Sequence, residues 1–237
     1  MISYSKQVID SKEIRAVSKV LKSEYLTQGP LVKKFEEKIS NYCNSKYAIA
    51  VNSATSGLHI ACMTLGVKKN DIVWTSAISF VASANAAVYC SADIDFLDIS
   101  LEDYNIDIKS LEKKLIVAKR KNKLPKVIIV VHFAGNPCQM KEIYLLKKKY
   151  KFKIIEDASH ALGARYMNKH IGNCEFSDMC VFSFHPVKSI TTAEGGIVTT
   201  NNKKFFNDLK LYREHGINRN FINKKVRPKY YEQIKLG

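Results

Sequence analysis

Apolar residues recur along this chain with two periods that take turns. In "SKEIRAVSKVLKS" (11–23), Ile14, Val17 and Leu21 fall at helical spacing, with Ser11 as the cap and Glu13 close behind. After the turn "LTQGP", Val32, Phe35, Ile39 and Tyr42 repeat that period. "YAIAV" (47–51) reads as a strand and "TSGLHIACMTLG" as a helix stopped by Gly66. "DIVWT" predicts a strand, "FVASANAAVYC" a helix, "DIDFLDI" a strand, and a charged helix follows. "KVIIVVHF" (126–133) is one of the strongest buried-strand signals in the chain. Helix "MKEIYLLKKKY", strands "FKIIED", "CVFSFH" and "GIVTT", and helix "NKKFFNDLKLYREHG" complete the series.

Such alternation predicts a largely parallel sheet covered by helices on both faces. Ligands in folds of this kind sit at the carboxyl ends of the strands. The residues with unusual chemistry cluster at those ends. No internal repeat interrupts the pattern, and "INKKVRPKYYEQIKLG" (222–237) has no clear core face.

Composition narrows the choice. The 237 residues are 46% hydrophobic and 25% charged, ordinary values for a water-soluble domain with one sizeable core. No apolar stretch approaches the roughly 18 residues that span a bilayer, and "MISYSKQVID" lacks secretory features. A cytoplasmic protein with no membrane partner is expected. The six cysteines (Cys43, Cys62, Cys90, Cys138, Cys174 and Cys180) have no zinc-ligand spacing, so they are read as reduced structural thiols with no metal. His59 and His132 are read as structural too. The formal charge is +16, which invites a nucleic-acid reading. Its lysines are dispersed over solvated faces, however, and arginine is scarce, so no nucleic-acid partner is expected. An anionic small substrate suits the same charge.

Three segments carry candidate chemistry. "NSATSG" joins a strand to a helix, where backbone N–H groups can meet a phosphate; Ser53 or Thr55 could equally cap the helix. "FKIIEDASHALG" ends a buried strand in two acids that face opposite sides of the sheet. Asp157, with His160 three residues on, can project into a site or can cap the next turn. In "FSFHPVKSITTAEGG" (182–196), Lys188 follows an apolar strand and Pro186 and precedes Gly195 and Gly196. A lysine partly withdrawn from water becomes a nucleophilic amine. Phosphate turn, strand-end carboxylate and buried amine, in that order, are what pyridoxal 5'-phosphate requires. His185 could support the site residues from behind or be a satisfied core histidine, and the core reading is preferred.

"NSATSGLH", "EDASHALGARY" and "FSFHPVKSITTAEGG" resemble the DegT/StrS family of sugar aminotransferases, which are fold-type I pyridoxal phosphate enzymes. "LTQGPLVKKFEE", "SAISFVASANA", "HFAGNPCQM" and "LYREHGI" are similar to that family as well. The resemblance implies an α/β fold, a three-layer αβα sandwich with a mostly parallel mixed sheet, over residues 1–220. By it, Lys188 bonds the cofactor aldehyde and moves protons, Asp157 pairs with the pyridine nitrogen, and His160 lies near the ring hydroxyl. Phe80 would stack on the ring, while Ala54, Thr55 and Ser183 would hold the phosphate. Tyr4 and the turn Glu24, Tyr25, Leu26 and Thr27 would touch the substrate. The branch it most resembles aminates the 4-keto group of a UDP-linked 6-deoxy N-acetyl sugar, with an amino-acid donor, by implication glutamate, in a homodimer. A sister branch, the sugar dehydratases, has histidine in place of the lysine. The family continues into a Gly-x-Asn-x-Arg segment and a smaller C-terminal domain. Residues 221–237 would be the connection to that domain, and the chain is expected to be weak or inactive without it. Ser189 stands where close relatives usually have proline.

Overall fold

The computed structural model describes residues 5–218 and 232–233. The elements run α1 (Ser11–Leu21), α2 (Pro30–Cys43), β1 (Tyr47–Val51), α3 (Ala54–Thr64), β2 (Ile72–Ser76), α4 (Ala82–Tyr89), β3 (Asp93–Leu97) and α5 (Ile108–Arg120). They continue with β4 (Val127–Val131), α6 (Met140–Tyr150), β5 (Lys153–Asp157), β6 (Arg165–Tyr166), β7 (Lys169–His170), β8 (Met179–Ser183), β9 (Gly196–Thr200) and α7 (Lys203–Arg213). Two short strands, β10 (Ile217–Asn218) and β11 (Glu232–Gln233), pair with each other. The periodicity located all the long elements. It missed the two-residue hairpin β6–β7, which carries too few residues to show a period.

Seven strands form one mixed sheet in the order β1-β9-β8-β5-β4-β2-β3. β8, β5, β4, β2 and β3 are mutually parallel, and β9 runs antiparallel to both β8 and β1. Every residue of β4, "VIIVV", is buried, because helices cover both of its faces. Val127 and Ile129 pack with Leu58 and Ile60 of α3. Ile128 and Val130 pack with Leu111 and Leu115 of α5 and Ile143 of α6. A third group joins Ile39 of α2 to Phe182, Phe184 and Ile197. The result is the three-layer αβα sandwich that the pattern predicted.

Three local findings differ from, or add to, the sequence reading. Asp10, not Ser11, caps α1: its Oδ1 accepts the Lys12 and Glu13 amides at 2.7 and 3.2 Å, and the Glu13 carboxylate accepts the Asp10 amide at 2.7 Å. Aspartate one residue earlier completes the reciprocal pair that Ser11 could not. The apolar stripe of α1 is uncovered, with Ile14, Val17 and Leu21 all exposed. Arg213 of α7 pairs with Glu36 of α2, which also accepts the Ala50 amide of β1 at 2.9 Å. Two motifs far apart in the chain thereby meet beside β1.

Gly196 controls how the strands close. It stands opposite Val51 on one side and Ser183 on the other. A Cβ there would lie 2.6 Å from the Ala54 nitrogen and 2.6 Å from the Ser53 carbonyl carbon, inside backbone that cannot yield. Gly196→Ala is therefore expected to cost about 3 kcal/mol, read as a lowered urea midpoint at unchanged slope.

Candidate active site

The parallel strands end along one edge of the sheet. Asp157 closes β5 and Ser183 closes β8, while Gly196 opens β9 and Val51 leads from β1 into Ser53. Sequence positions from 51 to 196 are gathered there by register alone.

Asp157 is buried, with both carboxylate oxygens occupied. Ser83 Oγ donates to Oδ2 at 2.6 Å, and Ser159 donates to Oδ1 from its hydroxyl at 2.6 Å and its amide at 3.2 Å. Ser83 lies fully buried in the first turn of α4, and its hydroxyl is 2.7 Å from that of Ser79. Glu156 points to the opposite face, as strand alternation requires. There it meets His132 Nε2 at 2.8 Å and the Ser177 hydroxyl. The Cys138 amide donates into His132 Nδ1 at 3.1 Å, so Nε2 carries the proton that Glu156 accepts. His132 is a satisfied core histidine, as expected.

Lys188 rises from the loop between β8 and β9. That loop is closed at its base: the Phe184 amide donates to the Gly195 carbonyl at 2.9 Å, and the Thr192 amide to the Phe184 carbonyl at 3.0 Å. Phe184 is fully buried edge-on to Phe35, their centroids 5.1 Å apart. The lysine amide donates to the His185 carbonyl at 2.9 Å, and Nζ sits 2.6 Å from His160 Nε2. Burial lowers the lysine pKa, and the Asp157 carboxylate opposes that shift. Burial also lowers the His160 pKa, the Lys188 charge adds to the effect, and Asp157 works against it. Both groups therefore lose a proton more readily than they would in water.

His160 is held from behind by a glycine. Gly135, at φ +86°, packs so closely that a Cβ would lie 2.6 Å from the His160 carbonyl oxygen. This accounts for the "AGN" of the loop after β4.

The other expected residues are distributed as follows. Ser53 caps α3 by accepting the Ser56 amide, while Ala54 is buried and Thr55 half-buried in the first turn. Their two amides precede the first intrahelical bond and open toward the sheet edge. Ser183 is buried, its Oγ 3.4 Å from the His185 amide. Phe80 is 74% exposed at the start of the α4 turn, and its carbonyl accepts the Ser83 amide at 3.1 Å. Glu24, Tyr25, Leu26 and Thr27 are exposed beyond α1. Tyr4 lies outside the described residues. His185 is a correction: its side chain is 49% exposed and 4.0 Å from Glu194, because Pro186 turns the chain outward before the strand face continues. Ser83, Ser159 and Gly135 escaped the sequence reading. Their signals were only small residues in a helical first turn and a glycine in a loop.

An αβα sheet with a half-buried lysine, a buried strand-end carboxylate and a small-residue helix start on one edge defines the large domain of a pyridoxal phosphate-dependent transferase. The comparisons refine that class. Residues 7–234 match the DegT/DnrJ/EryC1/StrS aminotransferase family, to which the chain belongs. It is 48% identical over 218 residues to the UDP-4-amino-4,6-dideoxy-N-acetyl-beta-L-altrosamine transaminase of Campylobacter jejuni, covering 92% of this chain and 56% of that protein. It superposes on Helicobacter pylori PseC, an aminotransferase involved in the biosynthesis of pseudoaminic acid. The TM-score is 0.86 at 34% identity, over 99% of this chain and 60% of that one. Spr1654 of Streptococcus pneumoniae, solved in a PLP form, gives a TM-score of 0.85 at 27% identity, over 99% of this chain and 61% of that one. The chain thus spans between 56% and 61% of these relatives' lengths. No helix among the described residues is long and apolar enough to cross a membrane.

The electrostatics make a direct expectation. His160 should take up its ring proton below the ordinary histidine value of 6.5, and Lys188→Met should move that titration back upward. A pH series of histidine ring NMR signals measures both.

Proposed function

We propose that this chain forms the cofactor-holding part, residues 1–220, of an aminotransferase that converts the 4-keto group of a UDP-linked 6-deoxy N-acetyl sugar to an amine. The carrying observation is the arrangement of Lys188, His160 and Asp157 at one strand edge. The 48% identity to the Campylobacter transaminase supports the sugar assignment. Glutamate as donor, a homodimeric, cytoplasmic protein and contacts from Tyr4 and Glu24–Thr27 to the substrate belong to the same proposal. Residues 221–237 are read as the link to a further domain.

The residues present fit pyridoxal 5'-phosphate in kind and in order. Bound there, the cofactor supplies an electron sink through which an amino group passes from an amino acid to a keto carbon. Lys188 contributes the nucleophilic amine, and its partial burial lowers its pKa, which makes the unprotonated form easier to reach than for a fully solvated lysine. The same amine, paired with His160 at 2.6 Å, can carry a proton to and from a neighbouring carbon. Asp157, oriented by Ser83 and Ser159, would hold a proton on the cofactor's ring nitrogen. The α3 start at Ala54 and Thr55, with Ser183 beside it, offers donors to a phosphate. Phe80 presents an exposed aromatic face at the mouth, suited to cover a planar ring.

Two measurements bear on this. Pyridoxal phosphate added to the protein should produce a yellow absorbance band, and borohydride should fix a pyridoxyl group on Lys188. Lys188→Ala should give neither, whereas a colourless, folded wild-type protein in excess cofactor overturns the reading. Ser83→Ala should leave the fold intact, weaken cofactor binding by about tenfold and shift the band's pH dependence, since Asp157 loses one of its two hydroxyl partners.

A further inference from the structure

The loop that follows β4 is closed by a single imidazole. His132 is buried, and its amide donates to the Asp157 carbonyl at 3.1 Å. Its ring reaches two further segments. Nε2 donates to the Glu156 carboxylate at 2.8 Å, one residue before Asp157, and Nδ1 accepts the Cys138 amide at 3.1 Å. These bonds need one donor and one acceptor on a rigid ring, which a neutral histidine supplies. The Ser177 hydroxyl donates to the other Glu156 oxygen and completes the anchorage.

Residues 132–138 are therefore tied end to end. Within them, the Gly135 amide donates to the His132 carbonyl at 3.1 Å and the Asn136 amide to the Phe133 carbonyl at 2.9 Å. Buried Asn105 braces the middle: its Oδ1 accepts the Phe133 amide at 3.0 Å, and its Nδ2 donates to the Asn136 carbonyl at 3.1 Å. The loop holds Ala134 at φ +50°, a left-handed conformation that a residue with a side chain rarely adopts. Such backbone persists only where its surroundings over-determine it. The next residue, Gly135, is the one that packs on the His160 carbonyl.

We propose that His132 is a positioning residue for the candidate site: it closes the 132–138 loop through Nδ1, grips β5 through Nε2, and so keeps His160 against Lys188. It acts through Gly135 and the β5 backbone rather than on the reacting groups themselves. Nδ1 sets the shape of the loop, and the loop sets where the His160 backbone rests. Nε2 and the His132 amide fix that loop to the strand that ends in Asp157. The His160 ring then meets Lys188 Nζ at 2.6 Å and lies within reach of the Asp157 charge. Burial and the Lys188 charge both depress the His160 titration, so a ring that drifts from its place titrates higher. The consequence for proton transfer rests on the transaminase reading; the placement itself does not.

The test separates the two ring nitrogens in the cofactor-free protein. Asparagine sets a carbonyl oxygen near the Nδ1 position, whereas glutamine sets its amide near Nε2. His132→Asn should keep the loop closed and leave the His160 titration, followed by ring NMR signals, unchanged. His132→Gln and His132→Leu should move it upward by about half a pH unit or more, toward the ordinary 6.5. Ile128→Val, a core trim elsewhere in β4, should lower the urea midpoint without moving that titration. In the unaltered protein, the Cys138 amide should exchange slowly and show a nitrogen–nitrogen coupling to His132 Nδ1 across their hydrogen bond, a readout that needs no variant to fold. Absence of that coupling overturns the proposal. So does an unmoved His160 titration in folded His132→Gln and His132→Leu, or an equal shift in His132→Asn or Ile128→Val. No readout here involves pyridoxal phosphate, so its failure is distinct from failure of the transaminase reading.

Discussion

A lysine amine drawn halfway out of water needs a partner that does not neutralise its reactivity, and His160 is that partner. A carboxylate favours the protonated amine, as Asp157 does in part against the effect of burial; the group in contact at 2.6 Å is an uncharged type of partner, an imidazole nitrogen. The rest of the site follows from keeping these two groups together. The loop carrying Lys188 is pinned at its base through Phe184 and Gly195, and the backbone bearing His160 rests on Gly135. Asp157 stands close enough to influence both groups while its oxygens stay engaged by Ser83 and Ser159.

The sheet makes this possible because its strands converge at one edge. β9 turns back between β8 and β1, and glycine at position 196 lets the α3 start approach the strand without a side chain intervening. Hydroxyl, carboxylate, amine and helix amides then share one small region although up to 145 residues of sequence separate Val51 from Gly196. The strong positive charge has little part in that design. Its lysines are spread over helix surfaces, some in exposed ion pairs such as Lys149 with Glu112 at 3.0 Å. Exposed pairs of that kind contribute little to stability.

The chemistry divides between the two faces of one strand. Glu156 faces inward to a closed network with His132 and Ser177, and Asp157 faces the site. Neighbouring acids thus face a closed network and the candidate site respectively, by strand alternation. Among the cysteines, Cys43, Cys174 and Cys180 lie in a sealed cluster under α2, whereas Cys90 is only half-buried.

Much of this was legible in the chain. The alternation of helical and strand periods specified the layers, since a strand buried on both faces must be apolar throughout, as "VIIVV" is. Local residue order pointed to Lys188, Asp157 and His160, because strand ends, prolines and glycines leave marks within a few positions. Other features depended on distance in space. Ser83 as the partner of Asp157 comes from an element 74 positions away, and Gly135 matters only where it meets His160. His185 was misread because its local sequence looks like a strand and only the turn at Pro186 sends it to solvent. Short-range pattern therefore determined the elements and the reactive types. Register and helix packing decided which of them touch, since contact between remote segments is set by how the layers close and leaves no period in the sequence.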